Sequence, residues 1–458
     1  MRQAAGLKSG DKRNSNMKIL HFLPFFSPHT KGGTEIFLLS LARSQIENGH
    51  EVQIICPNMK EEVAFDCIEG IRITYFPFPY GQTDKYFLAG IRAHSTCDAF
   101  STIVDGIDPD VIHLHGLYPH FLKYFETIQE KSKRKLILTV HLVNIVCPNQ
   151  SLVNYRNEYC EGEVDFETCS TCISSTREIS KVNHLVNRLT IPVNGFLSKR
   201  FGVNGCISHI PTQRRVDSQI RVLNFLRDNV WIDVLNPWFY KVFALNRFST
   251  QRLSYFESPI FETGNFSTNS SSLIGKAAVR FLFVGRLSVQ KGVDLLIQTV
   301  ELLEQFKGRF SVTLVGKHTN PDLIDEINRL ICRGFALTLR GEIENEAMPL
   351  HYRANDYLLF PSLKGSSEML PLVIQEALEN DLAVVSSDIP AAKALIKDGV
   401  NGYLFTADDK YAFYTVLRRI IQGRGVLKFR YDRKPDGGAG KYAYYDALYQ
   451  RVLSHGTR

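Results

Sequence analysis

With 458 residues, 44% hydrophobic and 11% aromatic, the chain is long enough for two or three domains with separate cores and too apolar for general disorder. Its formal charge of +7 and pI of about 8.8 fall short of the dense basic stripe of a nucleic-acid binder. No uninterrupted apolar run approaches the roughly 18 residues that a membrane-spanning helix requires.

The opening 1–16 is polar and basic without the apolar core of a secretory signal, and is expected to be a disordered tail with the fold beginning at Met17. Strands are predicted at about Lys18–Leu23, Glu51–Cys56, Ile71–Phe76, Asp110–Leu114, Leu136–His141, Gly202–Ile207 and Trp231–Leu235, alternating with helices as in a parallel sheet. After the first strand, Gly32 and Gly33 lack a Cβ, so backbone N–H groups can approach an anion at the start of a helix from about Thr34 to Asn48. An ordinary tight turn is the alternative. No G-x-G-x-x-G follows that strand, which argues against a nicotinamide or flavin dinucleotide. Asp108-Pro-Asp110 reads as a turn and strand cap rather than a metal-binding D-x-D.

His115 and His141 each end a predicted strand, where an imidazole can bind a hydroxyl or phosphate or pass a proton. A capped core histidine is the plainer role for both. A loop-rich insert, 144–176, then carries Cys147, Cys160, Cys169 and Cys172, the last two as C-x2-C. Four such thiolates suit a structural zinc, with free thiols as the alternative. From Arg177 through Arg227, Lys181, Arg188, Lys199, Arg200, Arg214, Arg215 and Arg221 are interleaved with Leu185, Leu189, Ile191, Phe196, Leu197 and Phe201. The segment is either a solvated face over a buried stripe or one that lies on an anionic membrane.

Glu262 to Gly275 is polar and turn-rich, and reads as an interdomain linker. A second α/β alternation follows from Val279 to about Gly423, and an aromatic helix, Tyr442 to Leu453, closes the chain. Within that second half, Arg286 and Lys291 lie in the loop after the strand Val279 to Val284. Glu368 and Glu376, eight positions apart, lie in a loop and helix after the strand Asp356 to Phe360. Strand carboxyl ends are where open α/β sheets bind ligands. An arginine fork and a lysine neutralise a diphosphate, and ionised carboxylates accept from the vicinal hydroxyls of a sugar and a ribose. The four side chains together point to a nucleotide-sugar site.

These motifs, with Met17-Lys-Ile-Leu-His-Phe-Leu-Pro24, Gly32-Gly33-Thr-Glu35, Asp110-Val-Ile-His-Leu-His115, Gly341-Glu-Ile343 and Asn401-Gly-Tyr-Leu-Phe405, resemble glycosyltransferase family 4, of the bacterial polysaccharide and lipopolysaccharide type. The resemblance implies an α/β GT-B fold, two Rossmann-like doubly wound parallel-sheet domains facing a cleft. The expected division is 17–260 for the acceptor domain, 261–277 for the linker, 278–430 for the donor domain and 431–458 for a helix crossing back. It further implies that Arg286 and Lys291 bind the donor diphosphate, Glu368 approaches the sugar, Glu376 holds the ribose and Gly33 approaches the diphosphate from the opposite domain. His141, Met369 and Leu370 would border the sugar, with His115 as a cleft candidate. One departure stands out: Leu142 follows His141 where many relatives have aspartate, which leaves the acceptor base unassigned.

The implied reaction is retaining transfer of a sugar from a nucleotide diphosphate to a saccharide or lipid-linked acceptor, with no catalytic metal. The expected setting is the cytoplasm, with contact to the inner face of the membrane. A catalytically inactive GT-B partner and a GT-B epimerase are the alternatives.

Overall fold

The computed structural model describes residues 16–25, 32–58, 62–79, 85–90, 92–176, 186–187, 189–196, 210–255, 267–268, 278–318, 320–423, 427, 429–430 and 439–455. Two sheets dominate. The first has the spatial order β3 (Ala64–Ile68), β4 (Ile71–Pro77), β2 (Glu51–Asn58), β1 (Lys18–Phe22), β5 (Val111–Leu114), β6 (Lys135–Val140), β7 (Val230–Val234) and β8 (Leu253–Tyr255). The second is ordered β12 (Leu337–Gly341), β11 (Phe310–Val315), β10 (Val279–Val284), β13 (Tyr357–Phe360), β14 (Ala383–Ser387) and β15 (Gly402–Phe405). All pairings in them are parallel except β3 with β4.

Strand β3 was not expected. It folds back through Glu69-Gly70, both at positive φ (53° and 81°), the two-residue turn geometry that matches strand twist. The expected strand Gly202–Ile207 lies outside the described residues, as does most of the expected linker. Strand β9 (Ser267–Thr268), within that linker, pairs antiparallel with β16 (Phe429–Arg430), an exchange the turn-rich composition gave no sign of.

Strand alternation sorts the first lobe's interior. On β1, β5, β6 and β7 the even-numbered Leu20, Phe22, Ile112, Leu114, Leu138 and Ile232 enter one large aromatic and aliphatic core. The odd-numbered Ile19, Val111, Ile137 and Trp231 pack instead with Phe37 of the helix Gly33–Glu47 and with Tyr445, Leu448, Tyr449 and Val452 of the closing helix Ala439–Ser454. The closing helix therefore completes the first lobe, although the chain reaches it from the second. A separate core fills the second lobe around β10, β11, β13 and β14.

Each sheet reverses its order of strand addition at one place. In the first this falls between β1 and β5, in the second between β10 and β13. Such reversals leave a crevice at the carboxyl ends of the two strands, because their connections depart to opposite faces.

Candidate active site

The loops after β10 and β13 bring the four charged residues to one place. Arg286, Lys291, Glu368 and Glu376 all line a cavity of about 800 Å³ between the lobes, whose opposite wall includes Gly32, Gly33, Glu35, His115 and His141. A second cavity of about 570 Å³ adjoins it and shares Gly33, His141, Arg286, Lys291, Glu368 and Leu370.

Local geometry accounts for this placement. Lys291 ends a 3-10 turn, Val289–Lys291, and Gly292 at φ 71° redirects the chain into the helix Val293–Leu302. A Cβ on Gly292 would lie 1.9 Å from the Pro361 carbonyl oxygen, so the loops after β10 and β13 can touch only through glycine. Lys291 forms an ion pair with Glu368, both side chains mostly buried. Pro361 to Ser367 is held from both sides. Ser387 Oγ donates to the Ser362 carbonyl at 2.6 Å, and the Leu363 N–H donates to the Gln290 carbonyl at 3.1 Å. From the first lobe's cysteine insert, the Asn157 carbonyl accepts from Lys364 Nζ and the Gln150 carbonyl from Ser367 Oγ, each at 3.1 Å.

Glu376 lies in the second turn of the helix Leu372–Glu379, where Tyr352 Oη donates to its Oε2 at 2.5 Å. Burial, followed by that carboxylate, holds the Tyr352 phenol above its ordinary range, so it remains a donor. Sequence reading missed Tyr352, which no motif marks. Leu370 lines both cavities. Met369 borders only the smaller one, and its side chain is buried in the first lobe's core; its carbonyl accepts from Asn236 Nδ2 at 3.3 Å.

Across the cleft, Gly33 opens its helix and a Cβ there would sit 3.9 Å from Leu372 of the second lobe. Glu35, in the first turn, is bonded by the backbone N–H of Gly32, as in a capping box. Burial raises its carboxyl; those N–H bonds and the nearby Arg286 oppose the rise. His141 reaches the cleft, while His115 is buried behind it with its Nδ1 3.0 Å from His141 Nε2. Asp108, at φ 50°, ends the helix Thr96–Ile107, and Asp110 precedes β5. Asp108 pairs with Arg134 at 2.6 Å, and Asp110 accepts from the Lys18 N–H at 2.8 Å, starting β1.

The four cysteines come from three segments: Cys147 after a 3-10 turn, Cys160 beyond the bridge Val153–Tyr159, and Cys169 and Cys172 one turn apart on the helix Phe166–Thr176. All are free thiols. Burial raises the thiols of Cys160, Cys169 and Cys172, Cys169 up to about 12, and neighbouring thiols add to each rise. Among the described residues no three of these sulfurs lie within 4.8 Å of one another, whereas ring nitrogens of His21, His113 and His115 do.

Two parallel-sheet lobes closing on a cleft lined by cations and acids define a GT-B architecture. Residues 278–423 match the family model described as Glycosyl transferases group 1, and 31–179 match that described as Glycosyltransferase Family 4. The chain belongs to this glycosyltransferase family. It is 31% identical over 151 residues to the amylovoran biosynthesis glycosyltransferase AmsK of Erwinia amylovora, covering 32% of this chain and 36% of that protein. The chain thus spans about a third of that relative's length. An uncharacterized glycosyltransferase of Methanocaldococcus jannaschii, MJ1607, is 21% identical over 84% of both chains. Among solved structures, Anabaena HepE in complex with UDP and glucose superposes with a TM-score of 0.53 at 15% identity, over 95% of this chain and 96% of that one. The lipopolysaccharide outer core galactosyltransferase WaaB gives 0.55 at 15% identity, over 95% and 98%. At such identities the superpositions speak for the fold alone.

Proposed function

We propose that this protein transfers a hexose-type sugar, with retention, from a nucleotide diphosphate to a hydroxyl of a saccharide or lipid-linked saccharide in the biosynthesis of a cell-surface polysaccharide. The observation that carries this is the convergence of Arg286, Lys291, Glu368 and Glu376 on one cleft opposite the helix start at Gly33. In this reading Arg286 and Lys291 hold the diphosphate and take up the charge that develops as the sugar–phosphate bond breaks. Glu376, oriented by Tyr352, accepts from the ribose hydroxyls, and Glu368 from the sugar. The acceptor oxygen bonds to the anomeric carbon on the face the diphosphate leaves, the bonding electrons stay on the diphosphate, and the acceptor proton ends on its departing oxygen. A UDP-sugar is the first donor to try, since HepE is described with UDP and glucose. No step requires a metal.

Lys291→Ala and Glu368→Ala should each abolish transfer while the protein still folds, which a melting curve checks. If either variant transfers sugar at the parent rate, the assignment fails. A non-catalytic partner would keep its biological effect in both variants. Before that, a panel of nucleotide sugars should reveal the donor by raising the melting temperature, since a ligand that binds only the folded state stabilises it by mass action.

Contact with an anionic membrane belongs to the same proposal. Val186, Leu189, Val193 and Phe196, at helical spacing, are 37%, 66%, 58% and 65% exposed. Arg221 pairs with Asp217 at 3.1 Å; Lys181, Arg188, Lys199 and Arg200 lie outside the described residues. Flotation with phosphatidylglycerol vesicles should carry the protein upward, and the double variant Leu189→Ser, Phe196→Ser should remain at the bottom. Equal flotation of parent and variant would remove the membrane from the proposal. Zinc held by the four cysteines of the insert is likewise proposed, its support being that thiols from three segments lie near enough to raise one another.

A further inference from the structure

The odd-numbered face of the first sheet is apolar at its amino-terminal end and polar at its carboxyl end. Register places His21 beside His113 and Thr139 beside Asp233, and the two-residue strand period adds His115 and His141 to the same face. All but His141 are buried. The helix Gly33–Glu47 contributes Gln45 to this layer, and the closing helix contributes Tyr444, Tyr445 and Tyr449.

These groups form seven hydrogen bonds in series. His141 Nε2 lies 3.0 Å from His115 Nδ1, His115 Nε2 lies 3.0 Å from His21 Nδ1, and His21 Nε2 lies 2.8 Å from Gln45 Oε1. Gln45 Nε2 donates to Tyr449 Oη at 2.9 Å, and that hydroxyl lies 2.7 Å from His113 Nδ1. His113 Nε2 lies 2.7 Å from Thr139 Oγ1, which donates to Asp233 Oδ2 at 3.2 Å. Asp233 also accepts from Tyr445 at 2.8 Å and from Tyr444.

Gln45 sets the direction of the whole series, because only its nitrogen donates and only its oxygen accepts. Tyr449 accepts from Gln45, so its single proton goes to His113 Nδ1. His113 then carries its proton on Nε2 and gives it to Thr139, whose hydroxyl is left to donate to the acid. On the other side, Gln45 Oε1 needs an N–H from His21 Nε2. His21 Nδ1 is then an acceptor for His115 Nε2–H, and His115 Nδ1 an acceptor for His141. Every donor points from the cleft toward Asp233. We propose that this buried series fixes His141 as its Nε2–H tautomer, so that the imidazole at the cleft offers Nδ1 as an acceptor, with Gln45 and Tyr449 as positioning residues.

Burial keeps His21 and His113 neutral, as the series requires. His21 is brought down to about 4, its bond to Gln45 working the other way, and His113 is held well below its usual value. A metal on His21, His113 and His115 is the competing use of the same nitrogens. Each of those rings already has both nitrogens engaged in the series, so a metal would have to break it. The use of His141 Nδ1 on a sugar hydroxyl rests on the proposed transfer reaction; the tautomer itself does not.

The test is ¹⁵N spectroscopy of histidine-labelled full-length protein without donor, with His141 assigned by its loss in His141→Asn. The expected result is a fixed neutral ring protonated at Nε2, its two nitrogen shifts widely separated. Gln45→Leu, which removes the acceptor for His21, should draw those shifts together toward a tautomer average. Gln45→Glu, which keeps that acceptor, should leave them apart, whereas general damage to the fold would disturb both variants alike. A parent ring that is averaged, charged or protonated at Nδ1 overturns the proposal. So does Gln45→Leu with unchanged His141 shifts, or zinc binding that shifts the signals of His21, His113 and His115. Because no transfer is measured, failure of the glycosyltransferase assignment would leave this result standing.

Discussion

Gly292→Ala tests whether the loops that carry Lys291 and Glu368 depend on the contact between Gly292 and Pro361. Gly292 holds φ at 71°, and its added Cβ would fall 1.9 Å from the Pro361 carbonyl oxygen and 2.7 Å from its carbon, both backbone atoms that no side-chain rotation can relieve. The left-handed backbone alone costs about 1–2 kcal/mol in a residue with a Cβ. Relieving the clash by shifting the chain adds about 1–3 kcal/mol, the usual range for overpacking. Gly308 is the internal control, since its φ is 77° but nothing lies within 4 Å of its Cβ. Gly308→Ala should therefore show the first cost without the second. At about 3 °C per kcal/mol for a lobe of this size, Gly292→Ala should melt about 3–9 °C below the control. The same shift moves Lys291 and Pro361, so the KM for the donor should rise in Gly292→Ala and stay at the parent value in the control. Differential scanning calorimetry and steady-state kinetics read the two effects. If the two variants melt together and share the parent KM, the close contact has no role in building the site.

Acid stability gives a second expectation. The folded protein keeps His21 neutral down to about pH 4, whereas the unfolded chain protonates it near 6.5, so stability falls by about 3 kcal/mol as the pH drops through that interval. Asp233 acts in the opposite sense, because burial raises its carboxyl from 3.8 to about 7 and the folded state holds a proton that the unfolded state loses. Asp233→Asn removes only this opposing slope, so its urea midpoint should fall more steeply than the parent's between pH 6.5 and 4; a shallower fall would contradict the assignment. Tyr352→Phe deprives Glu376 of its donor, and loss of one charge-assisted hydrogen bond, about 1.4 kcal/mol, should raise the donor KM about tenfold with kcat little changed. An unchanged KM would separate Glu376 from donor binding. For the cysteine insert, metal analysis should find one zinc per chain, with Cys169→Ser lowering both metal content and melting temperature; a ratio near zero leaves four free thiols.

Charge and spacing made the charged cluster in the cleft legible. Arg286, Lys291, Glu368 and Glu376 follow strands with clear apolar signatures, and a parallel sheet delivers such loops to a single edge. The partners that orient them were not legible. Tyr352 meets Glu376 across two helices, and Asn236 reaches Met369 over 133 residues, neither separation bearing any local pattern. The histidines are an intermediate case. His115 and His141 were found as strand ends, but His21 and His113 were not, although Ile19, His21, Val111, His113, His115, Thr139 and His141 alternate with apolar neighbours in the way that marks a single face. Alternation of that kind ordinarily signals a face in water. Here the polar members are covered by a helix that arrives more than 300 residues later, bringing Tyr445 and Tyr449 as partners.

Met369 links the two lobes energetically. Its neighbour Glu368 faces the cleft and pairs with Lys291 in the second lobe, yet Met369 itself is buried in the first lobe's core and its carbonyl is bonded by Asn236. Withdrawing that side chain would expose apolar area worth about 1.5–3 kcal/mol and break a hydrogen bond of about 1 kcal/mol. Both costs arise only if the lobes part. Since Lys364 and Ser367 of the same loop are also bonded to carbonyls of the cysteine insert, the loop that carries Glu368 is fixed by its contacts with the opposite lobe as much as by its own sheet. The loop that carries Glu368 is thus held by both lobes, and the insert, far from the cations in sequence, is part of what places it.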